Sequence, residues 1–183
     1  WSNVYASGCS TGISLVDGNN QVSTTVQSNW YSRSNSGTGL AGGSSTSYTI
    51  SNLVCRRNAQ YGMSAASTGG YFINGFILSG NTTNGIFGNV TNANSTFKDG
   101  IIAGETGYAQ ANGISPNTNV TATLFFENCK FGDATGIYTT HTTTDIAATT
   151  NALHNFYMRN CVLGSATELT NQSTLMLNSF IIS

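Results

Sequence analysis

The stretch Phe126-Glu127-Asn128-Cys129-Lys130-Phe131 contains the motif that decides how the rest of the chain is interpreted. Its pattern is bulky apolar, variable, Asn, small or apolar, variable, apolar. Copies of this pattern begin at Trp1, Val26, Ile50, Phe72, Phe97, Phe126, Met158 and Met176. Successive starts are 25, 24, 22, 25, 29, 32 and 18 residues apart. A repeat of about 20 to 50 residues is typical of a solenoid, in which each repeat forms one coil.

A second motif, a glycine followed by an apolar residue, falls between copies of the first. Its members are Gly12-Ile13, Gly39-Leu40, Gly62-Met63, Gly85-Ile86, Gly113-Ile114 and Gly136-Ile137. Glycine allows a sharp bend, and we expect the apolar residue after it to point inward. Two motifs that keep the same order along the chain indicate a repeated coil.

Each position of the first motif has an expected direction. Side chains alternate between the two faces of a strand, and we expect the first position to point inward. After a corner at the third position, the fourth and sixth positions should point inward from the next short strand. The first and sixth positions should therefore each form an inward stack. One stack would contain Ile50, Phe72, Phe97, Phe126, Met158 and Met176, and the other Cys55, Ile77, Ile102, Phe131, Leu163 and Ile181. The third position suits a corner, because Asn tolerates left-handed backbone. The predicted ladder of corner side chains is Asn52, Asn74, Asp99, Asn128, Asn160 and Asn178.

The composition limits the classes of function. Charged residues are 7% of the chain, with six basic and seven acidic side chains, so we expect no binding to nucleic acid. No apolar run approaches the roughly 20 residues of a membrane-spanning helix, so we expect no membrane partner either. The 183 residues predict a single domain, 1–183. A solenoid needs polar caps at its ends, and neither end of this sequence has an evident cap. We therefore expect this chain to be a fragment of a longer one.

The apolar-x-Asn motif followed by Gly-Ile resembles the coil repeat of right-handed parallel β-helices, the pectate-lyase-like architecture, over residues 26–181. The segments ENCKFG, HTTTDIA, RNCVLGSATELTNQ and SFI are also similar to segments of very large β-helical proteins of marine bacteriophage virions and bacterial surfaces. Together with the abundant Thr, Val, Ile, Tyr and Phe, the resemblance implies an all-β fold. We predict a right-handed single-stranded parallel β-helix of about eight coils, one for each copy of the motif.

Enzymes of this architecture use clustered carboxylates to hold calcium and a basic residue to abstract a proton, and glycoside hydrolysis needs a carboxylate pair. The acidic residues of this chain are Asp17, Asp99, Glu105, Glu127, Asp133, Asp145 and Glu168. No two of them occupy equivalent positions on adjacent coils. We therefore predict no catalytic residues and no metal or cofactor.

Two sets of polar residues are nevertheless candidates for a functional role. Lys98, Glu127 and Arg159 hold the same outward position in three successive motifs, which predicts a stacked charge ladder and leaves a lyase site as the alternative. His141 and Asp145, with His154 after them, could form an oriented base or part of a metal site. A polar loop is the default interpretation of that second group.

The cysteines and the longer repeats leave further alternatives open. Cys129 and Cys161 share the fourth motif position, where two buried free thiols or a disulfide are both compatible with the spacing. The 29- and 32-residue repeats predict insertions on one face, for which the candidates are residues 105–119 and 139–152. Such insertions build a binding surface or are merely tolerated loops.

These residues favour a structural role over an enzymatic one. We expect a shaft or spacer of an extracellular, cell-surface or virion-associated fibre, spike or filament. Its partners would be other segments of the same chain, other copies in the fibre, or a surface glycan. The alternative is a polysaccharide lyase or hydrolase of the pectate-lyase-like fold, or its carbohydrate-binding segment. The candidate residues for that activity are His141, Asp145, Lys98 and Arg159.

Overall fold

The structure is a computed structural model that describes residues 2–15, 26–43, 47–65, 70–88, 94–116, 122–148, 154–164 and 169–171. Over these ranges the chain is an all-β parallel β-solenoid without helices, which confirms the predicted all-β parallel class. Consequently, no helix capable of crossing a membrane occurs in the ranges described.

The strands are β1 (Ser2–Ser7), β2 (Ile13–Ser14), β3 (Val26–Arg33), β4 (Leu40–Ala41), β5 (Tyr48–Arg56), β6 (Tyr61–Ser64), β7 (Tyr71–Ser79), β8 (Asn84–Gly88), β9 (Ser95–Glu105), β10 (Asn112–Pro116), β11 (Ala122–Glu127), β12 (Lys130–Phe131), β13 (Tyr138–Thr139), β14 (Thr144–Ala148), β15 (His154–Arg159), β16 (Val162–Leu163) and β17 (Leu169–Asn171).

Two parallel sheets wind around a shared core. The first follows the order β1-β3-β5-β7-β9-β11-β15, with β12 joining β9 to β16 at its side. The second follows the order β2-β4-β6-β8-β10-β14-β17. The chain therefore alternates between the sheets, and each coil lies in register on the one before it.

The number of coils differs from the prediction of eight. The part of the chain that the structure describes stacks seven strands along the main path of each sheet, not eight. The eighth copy of the motif, with Met176, Asn178 and Ile181, lies outside the described residues, as does Trp1.

The core consists of columns that run from coil to coil. The first-position column contains Gln27, Ile50, Ile73, Phe97, Phe126 and Met158. The sixth-position column contains Ser32, Cys55, Leu78, Ile102, Phe131 and Leu163. Phe97 stacks on Phe126 with ring centroids 5.0 Å apart, and both side chains are buried. Full burial of such a side chain contributes about 1.5 to 3 kcal/mol.

In two coils the motif starts one residue later than predicted, at Gln27 instead of Val26 and at Ile73 instead of Phe72. Gly75, with φ of 70°, occupies the left-handed corner that the prediction assigned to Asn74. Side chains in a strand alternate between faces, so this shift reverses every assignment. Phe72 is 44% exposed, whereas Ile73 fills the inward position. In the same way Leu78, rather than the predicted Ile77, is buried in the sixth-position column.

The second motif forms the second sheet. Its inward column is Ile13, Leu40, Met63, Ile86, Ile114 and Ile146. The preceding glycines are needed because the coils approach closely there. A Cβ atom on Gly62 would lie 2.8 Å from the carbonyl oxygen of Gly85. The prediction for Gly136-Ile137 was wrong, because Asp145-Ile146 takes that place and Ile137 is 49% exposed.

Two insertions lie on the same side of the solenoid. Between the sixth-position column and the second sheet, one coil uses the five residues 79–83, the next uses the nine residues 103–111, and the third uses the twelve residues 132–143. The predicted range of 139–152 overlaps this second insertion only at residues 139–143, because Thr144 already starts β14. The insertions contact each other, because Tyr138 and Thr139 pair antiparallel with Glu105 and Gly104.

Candidate functional site

The outer corner carries a column of left-handed residues that we call the exposed Asn ladder. Its members are Asn3, Asn29, Asn52, Asp99, Asn128 and Asn160, with φ between 51° and 59°. Asn52 Nδ2 donates to Asn29 Oδ1 at 2.9 Å, and Asn128 Nδ2 donates to Asp99 Oδ1 at 2.9 Å. Gly75 interrupts the ladder and separates these two pairs. The sequence analysis missed Asn29, because the third position of a motif that starts at Val26 is Ser28.

The predicted charge ladder lies on the outer face of the first sheet. Glu127 is in register with Lys98 on one side and Arg159 on the other. Lys98 Nζ lies 2.7 Å from Glu127 Oε2, and Arg159 Nη2 pairs with Glu127 Oε1. Hydrogen bonds from Lys98 first, and then from Arg159, lower the pKa of Glu127. We call these three residues the charged row.

A surface pocket of about 440 Å³ adjoins the charged row. Its other wall contains Phe125 and Tyr157, whose rings stack with centroids 4.9 Å apart at an interplanar angle of 15°. The lining residues are Thr96, Lys98, Phe125, Phe126, Glu127, Tyr157, Met158 and Arg159. The pocket thus presents apolar ring surface on one side and hydrogen-bonding groups on the other.

His141 and Asp145 are brought together, but inside the solenoid. His141 Nδ1 lies 2.6 Å from Asp145 Oδ1, and both side chains are 0% exposed. An imidazole buried in this way cannot contact a substrate from solution. His154 is in strand β15, where its backbone pairs with Ala122.

His141 ends a buried column that the sequence analysis missed, which we call the buried amide ladder. Its members are Asn35, Asn58, Asn81, Gln110 and His141. Asn35 Nδ2 donates to Asn58 Oδ1 at 2.8 Å, and Asn58 Nδ2 donates to Asn81 Oδ1 at 2.8 Å. Asn81 Nδ2 lies 3.4 Å from Gln110 Oε1.

The last contact of the buried amide ladder defines the tautomer of its histidine. Gln110 Nε2 lies 3.2 Å from His141 Nε2, and the amide nitrogen can only donate. We therefore assign Nε2 of His141 as the acceptor, which places the ring hydrogen on Nδ1, beside Asp145 Oδ1.

The buried amide ladder also satisfies backbone groups. The N–H of Asn35 donates to Asn58 Oδ1, that of Asn58 to Asn81 Oδ1, and that of Asn81 to Gln110 Oε1, at 3.1 to 3.2 Å. A sequence signal for this ladder exists, since the three asparagines are 23 residues apart and each precedes a glycine of the second motif by four residues.

A second cluster that the sequence analysis missed surrounds Glu105. Arg56 Nε lies 2.6 Å from Glu105 Oε1, and Arg57 Nε lies 2.8 Å from Oε2. Ser79 Oγ donates to Oε1 at 2.5 Å, and the Arg57 guanidinium lies 4.5 Å from the ring centroid of Tyr108. The carboxylate is 1% exposed and ties the first insertion to two earlier coils.

All four cysteines are free thiols in the structure, at Cys9, Cys55, Cys129 and Cys161. Cys129 and Cys161 are stacked in adjacent coils, as their spacing predicts, because Val162 N donates to Cys129 O at 2.9 Å. The neighbouring Cys129 thiol lowers the pKa of Cys161 to about 7, and the Cys161 thiol together with burial raises the pKa of Cys129. Burial raises the pKa of Cys55.

Metal ligation finds no support in these clusters. Among the residues whose placement is described, no group of three or more His, Cys, Asp or Glu side chains is arranged to hold a metal ion.

The fold and these contacts define an all-β parallel β-solenoid whose side chains bond from coil to coil. No protein-family model matches the chain, and comparison with curated proteins and with solved structures gives no significant match. The function is therefore argued from the residues themselves.

Proposed function

We propose that this chain is a rigid shaft segment of an extracellular, cell-surface or virion-associated fibre, spike or filament. The observation that carries the proposal is the buried amide ladder. It connects five coils through side chains and also satisfies backbone N–H groups at the corners. A solenoid gains length without enlarging its core, which suits a spacer.

The proposal includes the right-handed, pectate-lyase-like form of the solenoid. Connections between parallel strands of one sheet are right-handed in about 98% of cases, because strand twist favours that hand. A crystal structure of the chain is the test, and a left-handed coil would refute this part of the proposal.

The role as a shaft is tested by labelling. Antibodies raised against this chain are expected to decorate a fibre or filament on intact virions or cells in electron micrographs. Label confined to the soluble secreted fraction would contradict the proposal.

A second candidate function, glycan binding or cleavage, is favoured by the pocket between Phe125, Tyr157 and the charged row. Aromatic surface beside charged groups suits a sugar ring, and Lys98 is the candidate base among the residues that line the pocket. The test is incubation with acidic and neutral polysaccharides, with and without Ca²⁺. We expect no release of unsaturated or reducing ends. Release that is abolished by Lys98→Ala but not by the buried change His141→Gln would replace the structural proposal with a lyase.

A further inference from the structure

Three of the six basic residues of this chain lie at one corner of the solenoid. Arg33 and Arg56 are in register on adjacent strands, and Arg57 follows Arg56 at a left-handed corner with φ of 55°. Neighbouring strands lie about 4.8 Å apart, so the three side chains start close together. We call these three residues the arginine cluster.

The arginine cluster has an excess of positive charge. Glu105 is its one carboxylate partner among the residues the structure describes. The other described carboxylates that form ion pairs do so elsewhere, Glu127 in the charged row, Asp133 with Lys130 and Asp145 with His141. Three guanidinium groups and one carboxylate leave two positive charges, in a chain whose formal net charge is −1.

Glu105 also leaves much of each guanidinium available. Arg56 and Arg57 each contact it through Nε, and in the described part of the chain their terminal nitrogens make no further hydrogen bond. The Arg56 and Arg57 side chains are 21% and 38% exposed, and Arg33 is exposed. Glu105 thus holds both guanidiniums in place, the ring of Tyr108 adds a contact to that of Arg57, and both arginine side chains stay partly exposed.

We propose that the arginine cluster is a binding site for a tetrahedral oxyanion, a phosphate or sulfate group. Guanidinium nitrogens match the oxygens of such groups in paired hydrogen bonds, and two unneutralised charges match a dianion. Tyr108 and Ile137, which are 48% and 49% exposed, add apolar surface on the adjoining insertions. This surface favours a phosphate ester over the free ion. The site is separate from the pocket at Phe125 and does not depend on the proposed role as a shaft.

The test is isothermal titration of the whole chain at pH 8 and constant ionic strength with inorganic phosphate, inorganic sulfate, glucose 6-phosphate and acetate. We expect saturable binding of phosphate and sulfate, tighter binding of glucose 6-phosphate, and weaker binding of acetate. Arg33→Gln should weaken phosphate binding about tenfold, the factor expected when a hydrogen bond to a charged group is lost. Arg33 makes no ion pair with the described residues, so this variant should keep the circular dichroism and melting temperature of the wild type.

Arg159→Gln is the matched control, because it removes the same side chain from the charged row. It should bind phosphate as the wild type does. Absence of saturable binding, or equal weakening by Arg159→Gln and Arg33→Gln, would refute the site. Equal affinity for inorganic phosphate and glucose 6-phosphate would refute the contribution of Tyr108 and identify the ligand as the free ion.

Discussion

Glu105 illustrates how one residue can hold a buried charge in a chain that has few charges. Burial by itself raises the pKa of this carboxyl group. Hydrogen bonds from Arg56, Ser79 and Arg57 oppose that effect, and the net result is a pKa of about 2 in place of the ordinary 4.5. Because the folded-state pKa is below the unfolded value, this group stabilises the fold above about pH 4.5. That contribution is lost as the pH falls toward 2.

We predict that Glu105→Gln lowers the free energy of unfolding at pH 7 by about 3 kcal/mol, since the change leaves two guanidiniums beside an uncharged buried group. Urea denaturation followed by circular dichroism measures the loss. The variant should also lose less stability than the wild type between pH 4.5 and pH 2. Asp133→Asn is the control, because Asp133 forms a surface pair with Lys130 and should cost less than about 1 kcal/mol. Equal pH dependence of Glu105→Gln and the wild type would contradict the prediction.

The cysteine side chains should differ in reactivity because the thiolate is the nucleophile. At pH 7.5 we expect iodoacetamide to modify Cys161, whose pKa is about 7, faster than the buried Cys55. Peptide mass spectrometry on the folded protein measures both rates. Cys129→Ala should slow the modification of Cys161, since it removes the neighbouring thiol that lowers the pKa of Cys161. Faster labelling of Cys55 than of Cys161 would contradict the predicted order of reactivity.

At the scale of elements, the two ladders run along different corners of the coils and differ in burial. The exposed Asn ladder hydrogen-bonds in water, where each bond replaces one to solvent. The side chains of the buried amide ladder are shielded from solvent, so water cannot replace a hydrogen-bond partner that is lost. The same kind of side chain should therefore contribute unequally to stability in the two positions.

Asn58→Ala should lower the free energy of unfolding by about 3 kcal/mol, because at least two buried polar groups lose their partner at about 1 to 3 kcal/mol each. Asn52→Gly is the matched change in the exposed Asn ladder. Glycine keeps the left-handed corner, so this variant should lose less than about 1 kcal/mol. Chemical denaturation of both variants provides the comparison. Similar losses would mean that burial does not distinguish the ladders.

The inward and outward positions of the first sheet can be tested in the same way. Phe97 is buried between the rings of Phe76 and Phe126, so Phe97→Ala should cost about 3 to 5 kcal/mol. Phe72→Ala removes an exposed ring and should cost less than about 1 kcal/mol, although the sequence placed both residues in one inward stack. A large loss for Phe72→Ala would contradict the register seen in the structure and support the one predicted from the sequence.

At the scale of the whole molecule, a solenoid is stabilised by contacts between neighbouring coils. Strands β5 and β7 pair along most of their length on both sides, and β9 pairs with β7 on one side and with β11 and β12 on the other. In contrast, β1 pairs with β3 alone in the part of the chain that is described. Hydrogen exchange should therefore be slowest at the amides of β5, β7 and β9 and fast in β1. Uniform protection of all these strands would indicate that the solenoid opens as one unit.

Much of the fold followed from the sequence by itself, because its determinants are local. The alternation around Phe126, the left-handed preference of Asn128 and the glycine before Ile86 each act within a few residues. Repeated every 18 to 32 residues, they were enough to predict parallel coils, the stack of Phe97 on Phe126 and the contact of Glu127 with Lys98.

Only the tertiary structure decided which residues of different coils meet. The register around Gly75 depended on the neighbouring coils, because Asn74 and Gly75 are both acceptable at a corner. The buried amide ladder and the hydrogen bonds of Glu105 join residues up to 49 positions apart. Asn58 and Asn52 both prefer turns, so backbone preference alone does not distinguish the buried side chain from the exposed one. Their difference arises from burial, which is a property of the assembled coils.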